Sequence, residues 1–457
     1  MYSRRELMRA LGTLPFIPRL RAQPGALDLR HRLLGRTGSW VVPLGLGGQA
    51  SLQWTGEDID APDIVVRAFE LGVNYFDTAN AYGPSQANYG EAFRRLNLDQ
   101  AARERIFVAS KTGNRYAFNP AAPNAATALS DLRRSLTTLF GDGSGYIPEG
   151  AYLDSFQIHN LTTLQQVDQI YEGVADRGSK MPDRIGALAA LMDYRDGTDY
   201  TGLNPERRRW IRHIGITGHQ SSPVLMSAIQ RDRWDMIDTV LIGMNANDRR
   251  CACHQNNVLP LAVARGLGVI VMKVFADGAF YGKPARFSNN PGDVVLSVGQ
   301  SGGIACSDLI HYVESLPGVS TVITGIGKVD RQNPENDQLV ANLSASLDSD
   351  VASPAALRSI EDTLASLHPP AANYFNERRE NLTQPSGVSA ELDSGRMIVR
   401  WSNAFAAAEP IRSYEIYEGD RQLLSIPYRP QLTTEPLTAW LPAGELQGGA
   451  IRVVAAV

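Results

Sequence analysis

A (β/α)8 barrel followed by a small, all-β immunoglobulin-like sandwich is the fold class the sequence predicts, on three observations. Between residues 41 and 324, short runs rich in β-branched and aromatic residues alternate with helix-like runs. The short runs number eight. Beyond a polar stretch at 381–386 no helical pattern returns, and apolar and polar residues alternate in further short runs. Repeated strand-helix units of that number favour a closed parallel barrel over an open doubly wound sheet. Alternation without helices reads as the half-buried strands of a sandwich.

The chain has 457 residues, which at about 150 per domain leaves room for one large domain with attachments or three small ones. It begins MYSRRELMR, a basic segment holding Arg4-Arg5, and a short apolar stretch follows at 10–18. This start resembles a twin-arginine signal, which implies a leader over 1–25 and a periplasmic or exported destination; a plain basic tail would leave the protein in the cytoplasm. The barrel is assigned to 28–347, with strands expected at 41–46, 73–78, 106–110, 152–158, 213–217, 239–244, 269–274 and 319–324. Runs this short and apolar suit strands buried on both faces. The intervening helices are illustrated by 62–71, where Pro62 starts the helix, Gly72 stops it, and Ile64, Val65, Ala68 and Phe69 share one face.

Three stretches, 112–127, 177–209 and 278–307, exceed the usual loop length of about 4 to 6 residues. The first and third follow strand ends, where barrel enzymes place substrate loops. His368-Pro369-Pro370 opens a polar segment, so 348–384 is read as a helical end and linker. In the final unit, 385–457, strands are expected at 388–401, 413–418, 421–428, 437–441 and 450–457. Pro385 and Val388, then Val399-Arg400-Trp401, IRSYEIY at 411–417 and IRVVAAV at 451–457 resemble a fibronectin type III module, which implies protein or glycan contacts. An unpaired sheet edge would need cover, and the barrel could supply it.

Charge narrows the partners. The 44 Lys and Arg nearly balance 48 Asp and Glu, so there is no basic field for nucleic acid. No apolar run approaches the roughly 18 residues of a spanning helix, which predicts no transmembrane anchor. Three cysteines cannot build a dense disulfide framework. Cys251-Ala252-Cys253-His254 has metal-ligand residue types but is too compact for a tetrahedral site, and no second pair follows. No metal is predicted; a loop with incidental cysteines is the reading, with a disulfide after export the remaining option. Arg207-Arg208-Arg209 reads as a solvated face rather than an anion site.

The chemistry-bearing residues gather at predicted strand ends. Asp77 opens Asp-Thr-Ala-Asn-Ala-Tyr and puts Tyr82 in the loop beyond the second strand; Lys111 follows the third strand and His159 the fourth. Taken singly, these would serve as a turn cap, a loop aromatic, a solvated lysine and a core histidine. Together they have a chemical logic. A tyrosine with reference pKa about 10 is a poor acid at neutral pH. A neighbouring lysine favours the tyrosinate, a carboxylate keeps that lysine charged and placed, and a histidine can bond the same substrate oxygen. Such a set can protonate a carbonyl oxygen while hydride arrives at carbon.

These motifs, with Leu34-Gly35-Arg36-Thr37-Gly38 and Val42-Pro43-Leu44-Gly45-Leu46-Gly47, resemble the aldo/keto reductase superfamily from about His31 to Leu347. The resemblance implies a barrel that binds NADP(H) without a Rossmann domain and acts on a small carbonyl or alcohol. It also implies Tyr82 as general acid/base, tuned by Lys111 and Asp77, with His159 orienting the carbonyl. For the cofactor it implies Asn160 and Thr217 near the carboxamide, Thr217 heading Thr-Gly where the family has Ser-Asn. Leu241 stands where a Gln is common, followed by Asn245. Met272-Lys273 is similar to a subgroup with Met-Lys on strand seven, and Lys273 is assigned to the pyrophosphate. Gly325 and Gly327 are assigned to a phosphate cradle. Arg331, Glu335 and Asn336 resemble an adenosine-binding run with one residue inserted, a departure that leaves NAD open beside NADP. The opposing expectation is an exported binding or scaffold protein on a reductase-like barrel, since free NADPH is scarce outside the cytoplasm.

Overall fold

The eight apolar runs pair edge to edge and close on themselves. The computed structural model describes residues 30–49, 51–113, 121–142, 144–176, 181, 184–296, 304–347, 351–368, 370–378 and 381–457. The leader expected at 1–25 lies outside them, as do parts of the three long loops. In chain order the barrel strands are Leu44–Gly47, Tyr75–Asp77, Phe107–Lys111, Leu153–Ile158, Ile211–Gly218, Ile237–Gly243, Gly268–Met272 and Val319–Thr324, all parallel. Closure comes from the eighth pairing with the first, Val322 opposite Leu44 and Thr324 opposite Leu46. Nearly every strand residue is buried, as two covered faces require. The first strand is shorter than expected: Pro43 has no N–H to donate, and Trp40–Val41 instead forms a hairpin with Arg32–Leu33 under the barrel.

The helices bury their apolar stripes on this cylinder. Helix Ala61–Glu70 carries Pro62 in its first turn and buries Ile64, Val65 and Ala68, each Ile or Val contributing about 1.5–3 kcal/mol of apolar burial. Helix Ala125–Phe140 starts where Asn124 accepts a bond from Thr127 N–H. No helix among the described residues is long and apolar enough to cross a membrane. After helix Pro354–Leu367, residues 370–378 cross the open end of the barrel, with Ala372 and Phe375 buried in its apolar cluster.

The C-terminal unit has six strands. The expected strand at 388–401 is a hairpin, Ser386–Asp393 and Arg396–Ser402, because Ser394 and Gly395 take left-handed φ of +48° and +78° and reverse the chain. With Leu437–Pro442 these form one antiparallel sheet; Arg421–Pro427, Ser413–Glu418 and Ile451–Ala456 form the other. Val399, Trp401 and Ala439 from the first pack against Tyr414, Ile416 and Val453 from the second, in a core distinct from that of the barrel. The barrel does not cover the edge strand, since Ser386–Asp393 is exposed throughout. The two units meet instead at loop 403–409 and at Gln431 and Leu432.

The Cys251-to-His254 run forms tight turns beside that loop. Cys251, Cys253 and Cys306 are buried thiols, and burial pushes Cys251 and Cys306 up to about 12. No group of three or more His, Cys, Asp or Glu among the described residues could hold a metal.

Candidate active site

Parallel strands present their C-terminal ends on one face, and the four predicted residues meet there. Asp77 and Lys111 close the second and third strands, and His159 follows the fourth. Tyr82 reaches them from a loop held in place by its neighbours. Its N–H donates to Ala79 O at 3.1 Å, Ser85 N–H donates to Tyr82 O at 2.9 Å, and Asn80 Nδ2 lies within 3.1 Å of Lys111 O, Asp131 O and Ser135 Oγ. Gly48 lets the first strand approach this loop: a Cβ there would lie 2.5 Å from Ser85 Oγ and 2.7 Å from Asp77 O.

The Lys111 ammonium donates to Asp77 Oδ1 and, at 2.9 Å, to Thr78 O. It stands 5.0 Å from the centroid of the Tyr82 ring. On the other side, Tyr82 OH is 3.4 Å from His159 Nε2, the two rings meeting edge to face. All four residues are at most 4% exposed. Burial pulls Lys111 below the ordinary lysine range, against the attraction of Asp77, and pushes the Asp77 carboxyl up, against the pull of Lys111. The pairing keeps a charge in a place that would otherwise neutralise it. From Asp77 and Tyr82 a cleft runs over the ends of the seventh and eighth strands.

The aldo/keto reductase family matches residues 43–344, a stretch that contains all four. The chain belongs to this family. It is 30% identical over 150 residues to the uncharacterized oxidoreductase YqkF of Bacillus subtilis, 32% of this chain and 43% of the relative. It is 24% identical over 269 residues to L-glyceraldehyde 3-phosphate reductase of Escherichia coli, 56% of this chain and 64% of the relative. It thus spans less than two thirds of either relative's length. The aldo-keto reductase AKR11C1 from Bacillus halodurans, in its holo form, superposes with a TM-score of 0.46 at 19% identity, over 73% of this chain and 96% of the other.

In this reductase-family barrel, some of the residues assigned to a cofactor reach the cleft. Lys273, Gly325 and Gly327 line it. Lys273 Nζ lies 3.3 Å from Asp277 Oδ1 and 3.4 Å from Gln49 Oε1, and Gly327 N–H donates to Gln338 Oε1 at 2.8 Å. Asn160 and Thr217 are buried at neighbouring strand ends, and Asn160 Nδ2 and Thr217 Oγ1 have no hydrogen-bond partner among the described residues. Neither of these two lines the cleft, and the other three also stand outside it. Asn245 is turned away by Lys273 O and Asn373, to which Nδ2 donates at 3.0 and 3.2 Å. Arg331 faces the outer helix Ala61–Glu70, bound to Asp63 and Glu70. Asn336 is exposed in the turn Pro334–Asn336.

Sequence reasoning missed Gln49, Ser51, Asp277 and Gln338, which line the cleft. It also missed the strap at 370–378, although Asn373-Tyr374-Phe375-Asn376 puts two large aromatics inside a segment otherwise polar enough for a linker.

Proposed function

We propose that the chain is an NAD(P)H-dependent oxidoreductase that reduces an aldehyde or ketone, or oxidises the corresponding alcohol. The observation that carries this is the buried contact of Tyr82 OH with His159 Nε2, beside the Lys111–Asp77 pair at the end of the cleft. The chain fits a dinucleotide. Gly325 brings bare backbone to the cleft wall beside Lys273, and the Asn160 Nδ2 donor and Thr217 Oγ1, buried at neighbouring strand ends, complement a carboxamide. When bound, the reduced nicotinamide supplies hydride to the substrate carbon.

The protein manages the proton. Tyr82 OH gives its proton to the carbonyl oxygen in reduction and takes it back in oxidation. The phenolate left behind faces the Lys111 ammonium, which Asp77 and Thr78 O hold in position. His159 stands at the same hydroxyl and orients the oxygen that approaches it. Because these groups are already fixed and screened from water, they stabilise developing charge with little reorganisation. Arg331 lies outside the cleft, bound to Asp63 and Glu70, so the proposal covers NAD as well as NADP. It also retains export through the leader at 1–25.

Titration with NADPH and NADH, followed by quenching of protein fluorescence, tests cofactor binding. Turnover of an aldehyde panel starting with DL-glyceraldehyde and 4-nitrobenzaldehyde tests the chemistry. A Tyr82→Phe protein that turns over every responsive carbonyl at the native rate would refute the mechanism.

A further inference from the structure

The C-terminal sandwich does more than hang from the barrel. We infer that it is a brace that holds the strap at 370–378 across the mouth of the reductase site, with Arg249 and Glu409 as its positioning residues. The inference rests on reading that mouth as the active site.

The strap touches the site's surroundings at four points. Asn373 and Asn245 exchange side-chain amide bonds at 3.1 and 3.2 Å. Phe375 is buried against Gly243 and the His219 ring. Asn376 Nδ2 donates to His219 O at 2.5 Å, and Tyr374 OH donates to Asp277 Oδ2 at 2.8 Å in the cleft wall. His219 in turn meets Asn160, the neighbour of His159, at 3.1 Å. The strap is therefore two contacts from the reacting groups.

Its own apolar burial is small. Phe375 is the one large side chain it buries deeply among its described residues, while each ordered residue costs backbone entropy. What closes the account is the clamping of its two ends. The preceding helix, Pro354–Leu367, carries Glu361; the sandwich that follows carries Glu409. Arg249 grips both: Nη1 donates to Glu361 at 3.0 Å and Nη2 to Glu409 at 2.5 Å, while Nε donates to Ala408 O at 2.5 Å. Arg358, on the same helix, adds a two-pronged bond to Glu409 at 3.0 Å. Closing the chain from 361 to 409 removes loop entropy that the strap would otherwise have to overcome alone. Asn257 strengthens the joint by exchanging buried bonds with the Ala406 backbone, at 2.8 and 3.0 Å, and Gln230 Nε2 reaches Gln431 O at 2.8 Å. The sandwich has its own packed core, so it resists as a solid body.

Hydrogen exchange on the full chain tests the brace without needing turnover, so a failed brace and a failed reductase reading are separable. The triple variant Glu409→Arg, Asn257→Ala, Gln230→Ala releases the joint. The brace expects exchange at 370–378 to accelerate about tenfold or more while the barrel strands stay protected. It also expects the triple variant to raise KM for 4-nitrobenzaldehyde, with a smaller change in kcat and an unchanged NADPH Kd, and Phe375→Ala, with the joint intact, to reproduce that rise. If exchange at 403–409 accelerates and the strap stays as protected as in the native chain, the strap holds itself and the inference is wrong. Should the triple variant also expose the barrel strands, Glu409→Gln alone is decisive: faster strap exchange supports the brace, and native strap exchange overturns it.

Discussion

Lys111 shows how a single residue joins burial to chemistry. It is fully buried, yet paired with Asp77 and set beside the Tyr82 ring, so its charge is held where the proposed mechanism forms a phenolate. Replacing Tyr82 by Phe removes the proton donor and should lower kcat by about 10² to 10⁴, with NADPH binding retained in a fluorescence titration. Lys111→Met should lower kcat as steeply while leaving Asp77 buried without its partner, which costs stability measurable by urea unfolding. Arg331 makes the opposite case. Its partly exposed bonds to Asp63 and Glu70 contribute on the order of 1 kcal/mol or less. Arg331→Ala should leave the NADPH Kd within about twofold of native, the affinity change staying well inside the 1.4 kcal/mol of a tenfold step. The four residues of the site were legible because each lies at a strand end with its own local pattern. The partners of Arg331 were not, because Asp63 and Glu70 lie on the helix after strand one, far from it in sequence.

Among elements, the helix Cys306–Glu314 carries a pH-sensitive seam. Glu314 is buried at its end, accepts a bond from Ser346 Oγ at 2.6 Å, and is pushed by burial from 4.5 up to about 7. The folded state therefore keeps this proton to higher pH than the unfolded chain does. The stability this contributes is fully present below about 4.5 and is lost as pH rises through about 7. Glu314→Gln should flatten stability across that window and leave the variant more stable than the native chain at pH 8, by up to about 3 kcal/mol, as read by urea unfolding at a series of pH values. His219, beneath the strap, has the opposite sign. Burial first, then Lys273 and His159, hold it well below the ordinary histidine range. Its share of stability is present above the unfolded histidine value near 6.5 and declines as pH falls below it. Most elements were readable from periodicity. The exceptions have local physical causes: Pro43 cut the first strand short, and Ser394-Gly395 folded one expected strand into a hairpin.

At the scale of the molecule, two cores are joined by a polar seam that Arg249, Asn257 and Gln230 carry. A ligand that binds only the folded barrel should stabilise it by mass action. With NADPH at 100 times its Kd the gain is about 2.7 kcal/mol, seen as a rise in the thermal midpoint. An exported scaffold with an empty barrel would show no shift.

The sequence by itself determined the eight-fold strand count, the change to all-β pattern after the polar segment, and the four residues that meet at the strand ends. These follow from short-range rules: apolar periodicity sets the elements, and parallel strands carry whatever ends them to a common face. The tertiary structure alone decided which cofactor assignments reach the cleft, that the segment read as a linker is a strap over the mouth, and that the sandwich meets the barrel by loops rather than an edge. Each of those depends on a partner many residues away. Such partners are chosen by packing and by the need to pair buried polar groups, and no local pattern encodes either.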